Sequence, residues 1–200
     1  MTRTVGVKQN TMRVITGTAR GHRLETLPGE ETRPTAERVK EGLFSAIQFD
    51  IEGRRVLDLF AGSGQLGIEA LSRGAAECVF VDRNPKATDI IRRNLQAVGL
   101  YAGAHVLTTD ALQFLERNRE RFNLAFLDPP YASGLLSQAL TLLAPQIDLG
   151  GTVICESDRD KAPDGVGGLW LRKIYRYGRV CIWLYRKENR TESPEGGDRL

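Results

Sequence analysis

From Arg55 onward the chain alternates short apolar runs with helix-patterned segments, and this alternation restricts the fold more than any other feature. "RVLDLF" predicts a strand and "GQLGIEALSRG" a helix closed by Gly74. "CVFVD" predicts the next strand and "PKATDIIRRNLQAVG" the next helix, with Pro85 near its start and Gly99 past its end. "HVLTTD" then leads into "ALQFLERN", "NLAFLD" into "GLLSQALTLLA", and "GTVICES" follows. Strands that are apolar along their whole length need cover on both faces, so the pattern predicts a mostly parallel sheet between two layers of helices. "LWLRKIYRYGRVCIWLYRK" breaks it with two strand-like runs around Tyr177-Gly178, which predicts an antiparallel pair at the end of a seven-stranded sheet.

Ahead of this core, "MRVITGT" and "HRLETL" flank the turn-like "ARG" and predict a hairpin. "RPTAERVKEGLFSAI" predicts a helix started by Pro34-Thr35, with Val39, Leu43, Phe44 and Ile47 on its apolar stripe. Residues 12–50 therefore form an N-terminal hairpin and helix extension, and residues 51–187 a core domain. Residues 1–11 are expected to be a flexible tail, and 188–200, polar and rich in Gly and Pro, a disordered one. Two hundred residues suit one domain of this kind. The N-terminus carries charge without an apolar segment behind it, so it is not a secretory signal, and a cytoplasmic protein is expected. Cys78, Cys155 and Cys181 are odd in number and widely spaced, with only His22 and His105 beside them. That pattern fits neither a zinc site nor a disulfide framework, and buried reduced thiols are expected.

The stretch Leu57–Leu71, "LDLFAGSGQLGIEAL", carries Gly62-x-Gly64-x-x-Gly67 directly after a strand, and Asp82 follows twenty positions after Gly62. This spacing fits a dinucleotide site, and also any adenosine cofactor that the protein backbone must approach closely. Charge separates the two readings. A pyrophosphate in the loop is repelled by Asp58 just below it, whereas S-adenosylmethionine has no phosphate and carries an ammonium and a sulfonium. The loop therefore favours S-adenosylmethionine, with Asp82 on the ribose hydroxyls and Asp110 and the Ala111 amide on the adenine. Asp58, Asp82, Asp110 and Asp128 stand at four successive strand ends, where open α/β sheets bind their ligands. Any one of them taken alone reads equally as a helix N-cap.

The second informative stretch is "FLDPPY". Pro129 and Pro130 remove backbone donors and stiffen the turn, which leaves carbonyl acceptors beside a carboxylate and the Tyr131 ring. Such a corner suits a planar base with an exocyclic amine. Asp128 and the Pro129 carbonyl accept its two N–H groups while Tyr131 stacks on the ring. Read alone, the same four residues also describe a rigid turn with a core tyrosine.

Together, "LDLFAGSGQLGIEAL", "VDRN" and "FLDPPY" resemble the class I S-adenosylmethionine-dependent methyltransferases that act on amino groups of bases. "MRVITGTARGHRL" followed by "RPTAERVKEGLFSAI" resembles more narrowly the RsmD-type guanine-N2 methyltransferases of bacterial small-subunit ribosomal RNA, from about Met12 to Arg186. The resemblance implies a Rossmann-like fold with S-adenosylmethionine as cofactor and no metal. It implies cofactor contacts from Asp58, Phe60, Gly62, Ser63, Gly64, Asp82, Arg83, Asp110 and Ala111, with Arg33 and Thr35 over the pocket. Asp128, Pro129, Pro130 and Tyr131 form the catalytic corner. Adenine-N6 methyltransferases of DNA or RNA share this corner and are the alternative.

Net charge is +3, but its distribution says more. Residues 165–187 hold Arg172, Lys173, Arg176, Arg179, Arg186 and Lys187 with no acid, and the first 23 residues hold five basic groups with no acid. These read equally as phosphate contacts or as solvated edge-strand faces. With ribosomal RNA as the implied partner, Arg13, Arg20, Arg23, Arg172, Lys173 and Arg176 become candidate RNA contacts. The partner is expected to be the small subunit or an assembly intermediate, met by a monomer.

Overall fold

The computed structural model describes residues 12–27, 34–130, 134–158 and 161–189. The core follows the alternation read above: β1 (Arg55–Leu59), α2 (Gln65–Ser72), β2 (Glu77–Asp82), α3 (Pro85–Ala97), β3 (Ala104–Thr108), α4 (Ala111–Arg117), β4 (Phe122–Leu127), α5 (Leu135–Leu143) and β5 (Ile147–Ser157). It ends in β6 (Gly165–Val166), β7 (Leu169–Tyr177) and β8 (Val180–Lys187), and α1 (Pro34–Ala46) precedes it. The sheet has the order β3-β2-β1-β4-β5-β8-β7-β6. β1 to β5 pair in parallel, and β6, β7 and β8 join antiparallel. Eight strands stand where the sequence predicts seven. The extra one is the two-residue β6, folded back onto β7 through Gly167 and Gly168, whose φ values of 55° and 84° suit a tight reversal.

Alternation along each strand sends side chains to two separate cores. Val56, Phe80, Leu124, Phe126 and Ile154 face α1, α2, α3 and the N-terminal segment. Leu57, Val81, Ala125, Leu127 and Val153 face α4 and α5. Phe44 of α1 meets Phe126 of β4 with ring centroids 5.6 Å apart, which fixes the extension over the middle of the sheet. Cys78, Cys155 and Cys181 are all buried free thiols inside these layers.

The expected hairpin is held by a single antiparallel bridge, Arg13 to Arg23, flanked by Leu24 N–H donating to Met12 O at 2.8 Å. It stays short because the following amides turn to another partner. Ile15 and Thr16 N–H donate to the carboxylate of Glu69 on α2 at 2.7 and 3.0 Å. Thr18 N–H donates to Ser72 O at 2.8 Å, and Ala19 N–H to Ser72 Oγ at 3.0 Å. Lys40, buried on α1, donates to Arg13 O at 2.8 Å and lies 3.4 Å from Glu69 Oε2. The extension is thereby tied to the helix that follows the glycine loop.

Candidate active site

The loop after β1 is shaped by a backbone that side chains rarely adopt. Phe60 has φ 68°, the one non-glycine residue with positive φ among the described residues, and Gly62 and Gly64 follow at 54° and 78°. A left-handed Phe costs about 1–3 kcal/mol and persists only where its surroundings hold it. Here Ala61 N–H donates to Val81 O at 3.0 Å, Gly62 N–H to Asp82 Oδ2 at 2.8 Å, and Gly64 N–H to Ala61 O at 2.7 Å. Asp82 Oδ1 accepts from Asn84 N–H at 2.8 Å, so one carboxylate pins both the glycine loop and the start of α3. Asn94 of α3 completes the support, donating from Nδ2 to Ser63 O and to Glu25 O, each at 3.0 Å.

Asp58 lies beneath the loop, not in the cleft wall, and its Oδ2 accepts the Gly67 amide at 2.8 Å. Burial lifts its carboxyl from the usual 3.8 to about 7; the Gly67 amide works against this, and the nearby Asp82 charge adds to it. These bonds bear on the cofactor. In a dinucleotide site the helix N-terminal amides face a pyrophosphate. Here the Gly62 and Gly67 amides are given to the side chains of Asp82 and Asp58, so neither is left for a phosphate. The loop's donor set fits a ligand of hydroxyls and positive charge better than one of phosphates.

The cleft above the loop has a volume of about 840 Å³. Of the expected cofactor residues, Phe60, Gly62, Ser63, Asp82, Arg83, Asp110 and Ala111 line it, while Asp58 and Gly64 sit below. Asp110 departs from its expected place at the end of a strand. β3 stops at Thr108, and Asp110 caps α4, its Oδ1 accepting from Leu112 and Gln113 N–H at 3.0 and 3.1 Å. Asp128, Pro129 and Pro130 follow β4 directly and line the same cleft. Tyr131 and Arg33 lie outside the described residues, and Thr35 falls in the first turn of α1.

The family model described as "Conserved hypothetical protein 95" matches residues 12–186. The chain is 37% identical over 180 residues to the ribosomal RNA small subunit methyltransferase D of Haemophilus influenzae, covering 88% of this chain and 93% of that one. This chain belongs to the small subunit methyltransferase D family. It is also 41% identical over 182 residues to YlbH of Bacillus subtilis, covering 88% of this chain and 99% of YlbH. The solved structure of yhhF from Escherichia coli superposes with a TM-score of 0.80 at 31% identity, over 90% of this chain and 99% of that one. The fold is that of the class I methyltransferases.

In this member of the D family the basic residues do not form one surface. Register with β8 puts Lys173 and Tyr175 on the face that carries α1, and Ile174 and Arg176 on the opposite face. Lys173 lies 4.7 Å above the Tyr175 ring. Arg172 pairs with Glu188 and Arg186 with Asp50, while Lys187 donates to Ala144 O and Gly167 O at 2.7 and 2.6 Å. Arg176 and Arg179 remain exposed, and Arg179 reaches the mouth of the cleft. Arg13, Arg20 and Arg23 are exposed on the extension; Arg13 and Arg20 border a hollow of about 210 Å³ together with Glu41.

Several residues of the site escape the sequence reading. Glu69, Lys40 and Asn94 lie on helices where a charged or polar residue ordinarily faces water, and nothing local marks them as buried. Tyr177, Gly178 and Arg179 enter the cleft because β7 and β8 return beside β5. Glu156 did carry a signal: the rule that singles out an acid at each of four strand ends extends to a fifth, "GTVICES".

Proposed function

We propose that this chain uses S-adenosylmethionine to methylate the exocyclic N2 of a guanine in small-subunit ribosomal RNA. The observation that carries the reading is that one cleft holds both the acid-anchored glycine loop and the Asp128–Pro129–Pro130 corner. Family membership and the names of the relatives support ribosomal RNA as the substrate.

S-adenosylmethionine supplies a methyl group on a sulfonium, which a nitrogen lone pair can attack in line. The protein's part is mostly placement. Asp82, already oriented by Gly62 and Asn84, accepts from the ribose hydroxyls with its remaining lone pairs. Asp110 and Ala111 meet the adenine, and Asp58 holds the Gly67 amide from below. Thr35 and Arg33 cover the pocket. Guanine N2 is a weak nucleophile because its lone pair is delocalised into the ring. Asp128 and the Pro129 carbonyl accept hydrogen bonds from its two N–H groups, draw it towards tetrahedral geometry and aim the lone pair, while Tyr131 stacks on the base. Well-oriented reactants gain about 7–11 kcal/mol from such positioning. Asp128 holds the departing proton or passes it to water. An unstacked loop nucleotide meets the need for access at little cost.

The substrate is the small subunit or an assembly intermediate in the cytoplasm, approached by a monomer. Arg13, Arg20, Arg23, Arg172, Lys173 and Arg176 contact phosphates, with Arg179 at the cleft mouth. Residues 12–50 serve as the extension and 51–187 as the methyltransferase core. The decisive experiment is transfer of labelled methyl from S-adenosylmethionine to small subunits lacking native methylation, followed by digestion to nucleosides. Label in N2-methylguanosine is expected. Label only in N6-methyladenine, from DNA or RNA, would overturn the choice of base while keeping the cofactor.

A further inference from the structure

β4 and β5 run in parallel register, Leu127 beside Cys155 and Phe126 beside Ile154. The ladder ends at Leu127 and Cys155; carried one residue further, the same register sets Asp128 next to Glu156 at the interstrand spacing of about 4.8 Å. The two residues share a face, because each lies two positions past a residue of the core under α1, Phe126 and Ile154 respectively. Asp128 precedes a proline, which keeps its backbone extended and preserves the alternation past the end of the strand. Both residues line the cleft. On its other side Glu156 pairs with Ile182 of β8, itself in the cleft wall. The corner therefore presents two carboxylates side by side, followed by an apolar residue.

The geometry points to Glu156 as the residue that selects guanine, by accepting the base's N1–H. This deepens the guanine-N2 reading above and rests on it. Guanine carries N1–H and the N2 amine as adjacent donors on its Watson–Crick edge, so two neighbouring acceptors match it: Asp128 for N2 and Glu156 for N1. Adenine and every purine with an unprotonated N1 turn a lone pair towards Glu156 instead. An acceptor shielded from water by the bound base and facing another acceptor loses its hydrogen bond and gains repulsion, and sites that demand a specific donor discriminate steeply. The Asp128 corner by itself recognises an amine; Glu156 supplies the information about which base carries it.

The test uses small-subunit RNA ligated around a synthetic segment and assembled into particles. The nucleotide that the wild type methylates is either guanine or 2,6-diaminopurine. Diaminopurine keeps the N2 amine and the purine shape but makes N1 an acceptor. The wild type is expected to prefer guanine by about a hundredfold in kcat/KM. In Glu156→Gln, whose amide can donate as well as accept, the preference shrinks at least tenfold, to about tenfold or less. Glu156→Asp keeps the charge and retains the preference even at a lower rate. Cofactor affinity, measured by calorimetry, reports that each variant is folded. If the wild type forms N2-methylguanosine but accepts diaminopurine equally well, or if Glu156→Gln binds cofactor and keeps the full preference, Glu156 is not the selector. If the wild type forms no N2-methylguanosine on the guanine particles, the functional reading itself falls and takes this role with it.

Discussion

Glu69 Oε2 accepts the Ile15 amide at 2.7 Å, joining a fully buried carboxylate on α2 to backbone 54 positions earlier in the chain. The same carboxylate accepts the Thr16 amide, receives Arg73 Nε at 2.8 Å and faces buried Lys40. Replacing Glu69 with Ala leaves two amides without this acceptor and removes a buried carboxylate 3.4 Å from the Lys40 ammonium. Loss of one partner from a buried ionic network costs about 3–5 kcal/mol. Urea unfolding of Glu69→Ala should show that loss, with faster hydrogen exchange at Ile15 and Thr16. A loss of about 1 kcal/mol or less would mean that the extension is held by its apolar contacts instead.

Gly67 is the third glycine of the loop motif, and its absent Cβ is what lets α2 lie on β2. A methyl there would overlap the Phe80 ring and come within 2.7 Å of Cys78 Sγ, both fully buried. Overpacking costs about 1–3 kcal/mol, against a helix-propensity gain of about 1 kcal/mol for Gly→Ala. Gly67→Ala is therefore expected to lose stability in thermal unfolding and to weaken cofactor binding, because the Gly67 amide and the loop shift together. A variant of unchanged Tm would show that the Phe80 ring moves aside freely.

Asp58 makes stability depend on pH. Its carboxyl titrates near 3.8 when unfolded and at about 7 when folded. Between these values the folded chain holds a proton that the unfolded chain has released. The stabilisation is thus complete below the unfolded value and is lost as pH rises through the folded one. From pH 5 to pH 8 the wild type should lose about 2–3 kcal/mol from this group. Asp58→Asn keeps an acceptor for the Gly67 amide and removes the titration. Urea midpoints across that range should show the variant gaining on the wild type with rising pH, and two parallel profiles would refute the assignment.

Asp128→Ala separates chemistry from cofactor binding. Turnover on unmethylated small subunits should fall by about 10³-fold or more, since both proximity and orientation at N2 are lost. Affinity for S-adenosylmethionine in calorimetry should stay within about threefold, because the loop contacts come from β1 and β2. Equal loss of both would place Asp128 in the cofactor site.

The layered α/β fold was legible because the central parallel strands are largely apolar and each helix is bounded by Pro, Gly or an N-cap, all of which are local signals. The glycine loop and the acids at successive strand ends were legible for a related reason: parallel strands put their carboxyl ends on one edge, so position in sequence becomes position in space. Asp82 and Asp128 reach the cleft on that logic alone. Asp110 shows its limit, since the same residue also satisfies its own helix terminus.

What sequence by itself determined here is the order and type of the elements, the glycine loop and the Asp128–Pro129–Pro130 turn after β4, for these depend on neighbours within a few residues. Only the tertiary structure decided which polar groups are buried and which residues from distant segments share the cleft. Glu69 becomes an anchor because α1 and the N-terminal segment fold over it. The basic run of β7 divides because adjacent residues of a strand point to opposite faces, and Arg172 and Arg186 each find an acid across the fold. Glu156 and Asp128 line one cleft because β4 and β5 pair in parallel up to Leu127 and Cys155, residues 28 positions apart.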